Sequence, residues 1–535
     1  MTDTGDERTG EKRPRPRPRL ARSTAIFAIA TGLSRVAGLI RESVSAYYFG
    51  SRGRINAFTV AFQLPNLVRA LVADAALSGA FVPVFSELLE KGDRRRAWRV
   101  ASTLFWLLLL ALGGLTALFV LIAPYVLRLF GNPGGDVDLA VGLSRVLFPI
   151  VVLLGLTGIV VGILNTHDHF TVPALSPVLW NLAIIVGLVV GVPTQDGESG
   201  KLYVYAASIV VGTLIQFLLP LPWLRGLDGR LQVVVDWRDP AVRRFFILLL
   251  PVTVGLGLIN INAVIDTVFA SRLIDASLAP TAIDKAFRLY MLPQGMFSVA
   301  VATVLFPALS RLAARSDHDQ FRETVALGVR QIGFLLVPAG AVSAVLAEPI
   351  VRIVYQRGSF TPDQTTVVAG ALAAFSLWLV FNGWMLMLNR AFFSLQSNWL
   401  PTIVALANLA LNAALDLAFY RVGVWGIPLA TSLVNVAGAA ALAYALRTRL
   451  GRLGLGAILD SLARVIAAAA AAAGAGFLLW WGLDDALGRS FATQIVSLGS
   501  ALVVAGIAYL GVCRTLRVPE VDALFLLLRR RQSRS

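Results

Sequence analysis

The chain has 535 residues, 57% of them from the apolar and aromatic set and only 15% charged, where a soluble domain carries about 25% charged residues. No soluble fold can bury that much apolar surface, which excludes a water-soluble enzyme, and the single cysteine, Cys513, excludes a disulfide framework or a cysteine zinc site. The apolar runs are long and continuous, without the ten-residue alternation of a membrane barrel, so the expected class is an all-α integral membrane protein. The net charge of +16 is placed in short loops and tails, where it orients a membrane chain. Nucleic acid is not expected as a partner.

Residues 1–22 alternate arginine and proline and are expected to stay non-helical, as a basic cytoplasmic tail. No small-residue cleavage site follows a short apolar core, so no signal peptide is expected. Fourteen apolar segments follow: 24–49, 56–86, 100–128, 139–164, 171–193, 203–224, 244–271, 281–310, 324–353, 364–390, 400–420, 425–446, 459–482 and 491–512. Loop charge supports the even number. Arg13 to Arg22, Lys91 to Arg99, Arg225 to Arg244, Arg311 to Arg322, Arg447 to Arg452 and Arg529 to Arg534 all fall on one side of fourteen crossings. The connections between them are nearly free of cations, so both termini are expected to be cytoplasmic.

A shift of 224 residues superposes two halves of the chain. Pro83 meets Pro307, Ser86 meets Ser310, Leu88 meets Leu312, Asp93 meets Asp317, Arg128 meets Arg352, Asn165 meets Asn389 and Pro177 meets Pro401. Residues this scarce in an apolar chain do not share one register by accident. Six spans fit in each copy, giving two pseudo-symmetric six-helix lobes, 23–226 and 227–450, whose axis runs along the membrane normal. The last two spans, 451–513, lie outside the repeat, and 514–535 is a second basic cytoplasmic tail.

Ionisable residues at membrane depth are functional candidates, because burying them in hydrocarbon is costly. The first span carries Arg35, Arg41 and Glu42; the second carries Asn66, Arg69 and Asp74; the eighth carries Arg288. Arg35 and Arg41 are separated by about 120° around a helix, so they fit a broad cavity and not a narrow stripe. Several guanidinium forks on facing bundles suit a phosphate-bearing cargo. Glu42 and Asp74 would repel an anion and are expected to be structural partners. Asp266, Asn412, Asp416 and Thr431 are oxygen ligands of the kind a hard cation needs, or equally a satisfied interhelical network. His167 and His169 lack a third strong ligand and are read as interfacial. Walker, metal-hydrolase and nucleophile-elbow patterns are not found, so no enzyme activity is expected.

The strings SRVAGLIRESVSAYYFG, NAFTVAFQLPNLVRALVADAALSGAFVPVFSE and ILNTHDHFTVPALSPVLWN resemble the MurJ (MviN) family of lipid II flippases, within the MOP exporter superfamily. The resemblance implies a bacterial cytoplasmic-membrane transporter that carries undecaprenyl-pyrophosphate-linked peptidoglycan precursor from the inner to the outer leaflet. It implies substrate contacts at Arg35, Arg41, Arg69, Arg288 and Asn66, and a lipid-tail groove at spans thirteen and fourteen. It implies sodium as coupling ion at Asp266, Asn412, Asp416 and Thr431, with no other cofactor. Lipid II, membrane lipid and peptidoglycan-synthesis proteins are the partners implied; another polyprenyl-linked oligosaccharide, or another amphiphile handled within the superfamily, is the alternative cargo. Asn56 and Ala70 depart from the acidic and basic residues usual at those places.

Overall fold

The computed structural model describes residues 18–72, 75–397, 399–451 and 454–521. Asp74, expected as a structural partner, lies outside them. The described residues are helical throughout, with no β-strand. The helices α1 (Pro18–Phe49), α2 (Ile55–Val72), α3 (Ala75–Glu90), α4 (Arg94–Leu127), α5 (Val137–Leu147), α6 (Ile150–Thr166), α7 (Thr171–Val186) and α8 (Glu198–Leu218) form the first half. The rest are α9 (Pro240–Phe269), α10 (Ala279–Ala314), α11 (His318–Val345), α12 (Ala347–Tyr355), α13 (Pro362–Ser376), α14 (Leu379–Ser394), α15 (Trp399–Phe419), α16 (Gly426–Leu450), α17 (Leu455–Leu487) and α18 (Phe491–Thr515).

Helix occupies every one of the apolar segments expected to span. Among the described residues ten helical stretches are long and apolar enough to cross a membrane, or eleven if α13 and α14, bent by 44° to one another, count as one. Several expected spans are interrupted. The segment 139–164 breaks at Phe148–Pro149 between α5 and α6, and 203–224 ends its helix at Leu218 before Pro220 and Pro222. Proline lacks the amide that would continue the ladder. The expectation for residues 1–22 needs correcting: α1 begins at Pro18. Proline is well placed in a first helical turn, where its missing amide would be unsatisfied anyway.

The 224-residue register holds down to single hydrogen bonds. Asp93 N–H donates to Leu88 O at 3.1 Å, and Asp317 N–H donates to Leu312 O at 3.1 Å. The Asp93 carboxylate then caps α4 through Arg96 N–H, and the Asp317 carboxylate caps α11 through Gln320 N–H. Even the left-handed turn residue recurs, as Gly92 (φ 76°) and Ser316 (φ 56°). Ser316 has a Cβ and is strained where Gly92 is not.

One apolar core gathers Leu289, Phe321, Ile332, Tyr355, Phe375, Phe392 and Leu442 from α10 to α14 and α16. Another gathers Phe58, Leu127, Leu143, Phe148, Ile184 and Tyr205 from α2, α4, α5, α7 and α8. The α17–α18 hairpin packs on α11, with the Tyr509 hydroxyl donating to Phe334 O at 2.6 Å. The segment after α18 does not hang free as an isolated tail. Val518 and Val521 are buried, and the Glu520 carboxylate pairs with Arg330 at 3.3 Å and accepts from Ser461 at 3.2 Å.

The two halves are knitted at the end that holds the α1–α2, α4–α5, α9–α10 and α12–α13 connections. Gly53 N–H donates to Ser277 O at 2.7 Å and Gly134 N–H to Ala276 O at 2.8 Å. Ser359 N–H donates to Tyr47 O at 2.8 Å, and Ser51 N–H to the Gln364 carboxamide at 2.7 Å. Asn56 is the hub. Its amide donates to Ser51 O, Gly53 O and Ser277 O, while its Oδ1 accepts from Thr281 N–H at 2.9 Å in the first turn of α10. A carboxylate here could not make the three donations.

Candidate functional site

The first helix supplies two guanidinium groups with different fates. Arg41 is 8% exposed, its Nη2 2.6 Å from Glu42 Oε1 and its guanidinium 4.7 Å from the Trp180 ring centre on α7. Arg288, on α10, reaches the same Glu42 oxygen at 3.2 Å and holds Asp284 one turn back at 2.8 Å. Glu42 therefore sits between an arginine from each half of the chain. This is the structural role expected of it, since a buried carboxylate needs pairing. Lys285 adds a second buried cation beside Arg41, 2% exposed and 4.9 Å from the Tyr355 ring centre.

Arg35 lies less than two turns before Arg41 on the same helix and is exposed. Its guanidinium rests on the backbone of α10: a Cβ added to Gly295 would lie 3.3 Å from Nη1 and 3.4 Å from Nη2. The absent side chain at Gly295 is what lets the group approach α10. Arg35, Arg41 and Arg288 thus all sit where α1 meets α10. Arg69 is turned onto its own helix, its Nε and Nη2 donating to Asn66 Oδ1 at 3.1 and 2.9 Å. Asn66 therefore stands as the acceptor for Arg69. Lys285, Trp180 and Gly295 were missed from sequence; Asp284 and Arg288, four apart, carried a readable helical-pair signal.

The proposed cation ligands converge. Asn412 Nδ2 donates to Asp266 Oδ1 at 2.6 Å and to Asp416 Oδ2 at 3.0 Å. Asn412 and Asp416 are fully buried, and Asn412 Oδ1 and Asp416 Oδ1 have no hydrogen-bond partner among the described residues. Thr431 gives its hydroxyl to Ile427 O at 3.2 Å. Asp266, Asn412 and Thr431 line a cavity of about 260 Å³ together with Asn262 and Asp284. Two carboxylates bridged by one amide, with orphaned oxygens beside them, form a donor set that fits a hard cation. The set holds two acidic side chains, and no group of three or more His, Cys, Asp or Glu able to hold a metal occurs among the described residues.

His167 is tied into the fold. Its Nε2 is 2.9 Å from Asp228 and its Nδ1 is 2.8 Å from Ile163 O.

A chain whose described residues are largely helical, with ten or eleven helical stretches long and apolar enough to cross a membrane, belongs to the class of multi-pass membrane proteins. The fold agrees: it is similar to a MATE multidrug transporter of the MOP superfamily in an inward-facing conformation, with a TM-score of 0.65 at 16% identity, covering 81% of this chain and 98% of that one. It is similar also to a lipid II flippase MurJ in an inward closed conformation, with a TM-score of 0.74 at 24% identity, covering 92% of this chain and 99% of that one. Residues 45–491 match the lipid II flippase MurJ family. A probable lipid II flippase MurJ of Synechocystis is 30% identical over 94% of this chain and 96% of its own length. The lipid II flippase MurJ of Burkholderia cenocepacia is 31% identical over 73% of this chain and 76% of its own length. The chain belongs to the MurJ family of lipid II flippases.

Proposed function

We propose that this chain translocates lipid II across the bacterial cytoplasmic membrane by alternating access, without covalent chemistry. In this reading fourteen spans form two pseudo-symmetric six-helix lobes, 23–226 and 227–450. Spans thirteen and fourteen (451–513) carry the lipid tail, and both termini lie in the cytoplasm. The observation that carries it is the meeting of Arg35 and Arg41 of α1 with Arg288 and Gly295 of α10, one helix from each lobe.

Guanidinium forks match phosphate oxygens and keep their charge at any physiological pH. Pyrophosphate entering between the lobes would compete with Glu42 for Arg41 and Arg288, while Arg35, exposed beside α10, offers a first contact. Arg69 and Asn66 extend the substrate surface along α2. With cytoplasmic termini, the knitted end around Asn56 faces outward, so this conformation is closed on that side. Outward release then requires the Gly53–Ser277, Gly134–Ala276 and Ser359–Tyr47 hydrogen bonds to break. Sodium, the coupling ion in this reading, would be held by Asp266, Asn412, Asp416 and Thr431, where it would supply the positive charge that two buried carboxylates lack.

The test is rescue of cells depleted of their own lipid II flippase, at matched expression. Arg35→Ala and Arg288→Ala are expected to abolish rescue, with Arg288→Lys partly active because it keeps charge but loses the fork. Full rescue by either alanine variant would overturn the assignment.

A further inference from the structure

The connection between α8 and α9 is not a loose linker. Trp98 Nε1 donates to Asp228 Oδ1 at 3.0 Å, and His167 Nε2 engages the same oxygen at 2.9 Å. Gln232 N–H donates to Ser102 Oγ at 2.9 Å, and Trp106 Nε1 donates to Gln232 O at 2.8 Å. Gly229 lies so close to the Trp98 indole that a Cβ there would collide with it. Burial opposes ionisation of Asp228, but the hydrogen bonds from Trp98 and His167 win and hold its carboxyl below the usual range.

Fixed in this way, the connection and the start of α4 enclose a cavity of about 860 Å³. Arg94, Arg95, Arg99, Arg225 and Arg230 line it, with Asp228 as the one acid. That acid is already engaged by Trp98, His167 and Arg94, the last at 3.4 Å. The side chains of Arg95, Arg99, Arg225 and Arg230 have no hydrogen-bond or ion-pair partner among the described residues. Four exposed guanidinium groups around one concavity focus a positive field that attracts an anion.

Next to the basic cavity, Arg225 shares a smaller one with His169 and Trp223. His169 and Trp223 in turn border a groove of about 390 Å³ whose walls are mostly apolar, Val172, Leu175 and Leu179 of α7 and Leu219, with Asp168 and Thr171 at the start of α7. Trp223 is 44% exposed and Leu175 39%. An indole at the rim of an apolar groove beside arginines is the arrangement of a membrane interface.

We propose that this surface binds an anionic phospholipid of the leaflet facing these loops, its phosphate on Arg95, Arg99, Arg225 and Arg230 and one acyl chain along Leu175, Leu179, Leu219 and Trp223. Charge alone would suit any polyanion. The groove decides for a lipid, because a soluble phosphate would leave it uncovered. The site shares no lining residue with the Arg41–Glu42–Arg288 cluster.

The test uses the purified full chain in neutral detergent, titrated with fluorescent phosphatidylglycerol, fluorescent phosphatidylcholine and inorganic phosphate. A photoactivatable phosphatidylglycerol then maps contacts by mass spectrometry. Phosphatidylglycerol is expected to bind best, to weaken roughly fivefold for each of Arg225→Gln and Arg230→Gln, and to cross-link within 172–179 and 219–223. Unchanged thermal midpoints of these variants show that the fold is kept. Trp223→Ala is expected to weaken the lipid and leave phosphate binding unchanged. Equal affinity for the two lipids, no loss in the arginine variants, cross-links spread over the whole apolar belt, or phosphate binding as tightly as the lipid would each overturn the proposal.

Discussion

Replacing Glu42 by glutamine removes one negative charge while keeping the side-chain shape. Two contacts lose their charge, but only one connects the two halves. Arg41 is the neighbour of Glu42 on the same helix and moves with it; Arg288 belongs to α10. Two unit charges 3.2 Å apart attract by about 5 kcal/mol at an effective dielectric constant near 20. Desolvation of both groups returns most of this, leaving the net worth of a charge-assisted hydrogen bond, about 1.5–3 kcal/mol. Glu42→Gln is therefore expected to shift the balance away from this conformation roughly ten- to hundredfold. The repulsion left between Arg41 and Arg288 acts in the same direction. The assay is a spin-label distance distribution. Cys513, buried and the single cysteine, is replaced by alanine, and labels go on the exposed positions Asp196 and Asp363. A second, longer population is expected in Glu42→Gln. Asp284→Asn is the control, since Asp284 pairs with Arg288 inside one helix and its loss should leave the distribution alone. An unchanged distribution in Glu42→Gln, or an equal shift in Asp284→Asn, would refute the reasoning.

Asn56→Asp should loosen the knitted end, because Ser51 O loses its donor at about 1–3 kcal/mol for a group left unsatisfied, while Gly53 O and Ser277 O keep their backbone donors; the same label pair should report a longer distance. Arg352 and Asp484 form a buried pair at 2.9 Å that ties α12 to α17, so Asp484→Asn should cost about 3–5 kcal/mol, read as a lowered thermal midpoint in detergent. If sodium binds at Asp266, Asn412 and Asp416, the wild-type chain should gain about 2.7 kcal/mol of stability at a hundred times the dissociation constant, and Asp416→Asn should melt identically in sodium and choline chloride. The hydrogen bond from Arg96 outweighs burial and holds Asp239 below its ordinary value of 3.8. A depressed carboxyl contributes fully above that value and loses its contribution as pH falls through the lowered one. Asp239→Asn should therefore flatten the acid-side fall in thermal midpoint, and an unaltered acid profile would remove the clasp between α4 and α9.

Several features were legible because they repeat locally. Hydropathy located every helical segment, and the scarce residues of the 224-residue register fell on equivalent turns, with Asp93 and Asp317 capping equivalent helices. The breaks were less legible. Pro149 and Pro220 end helices, whereas Pro65 and Pro83 lie inside α2 and α3; neighbours decide whether a freed carbonyl is satisfied. The start of α1 at Pro18 shows the same ambiguity, since one residue type opens a helix and forbids its middle.

The candidate site divides in the same way. Its charged residues stood out because charge is costly in an apolar segment, and Asn412 with Asp416 stood out by spacing. That Arg41 and Arg288 would meet on one carboxylate was not readable, and neither was the turning of Arg69 onto Asn66. Helical period sets which residues share a face, so the chain alone determined the class, the segments and part of the list of buried charges. Which faces meet depends on the rotation and tilt of whole helices, and these follow from side-chain packing summed over both cores. The tertiary structure alone decided that α1 packs on α7 while Arg41 and Arg288 share Glu42, that Gly295 admits Arg35, and that the α8–α9 connection folds back onto Trp98.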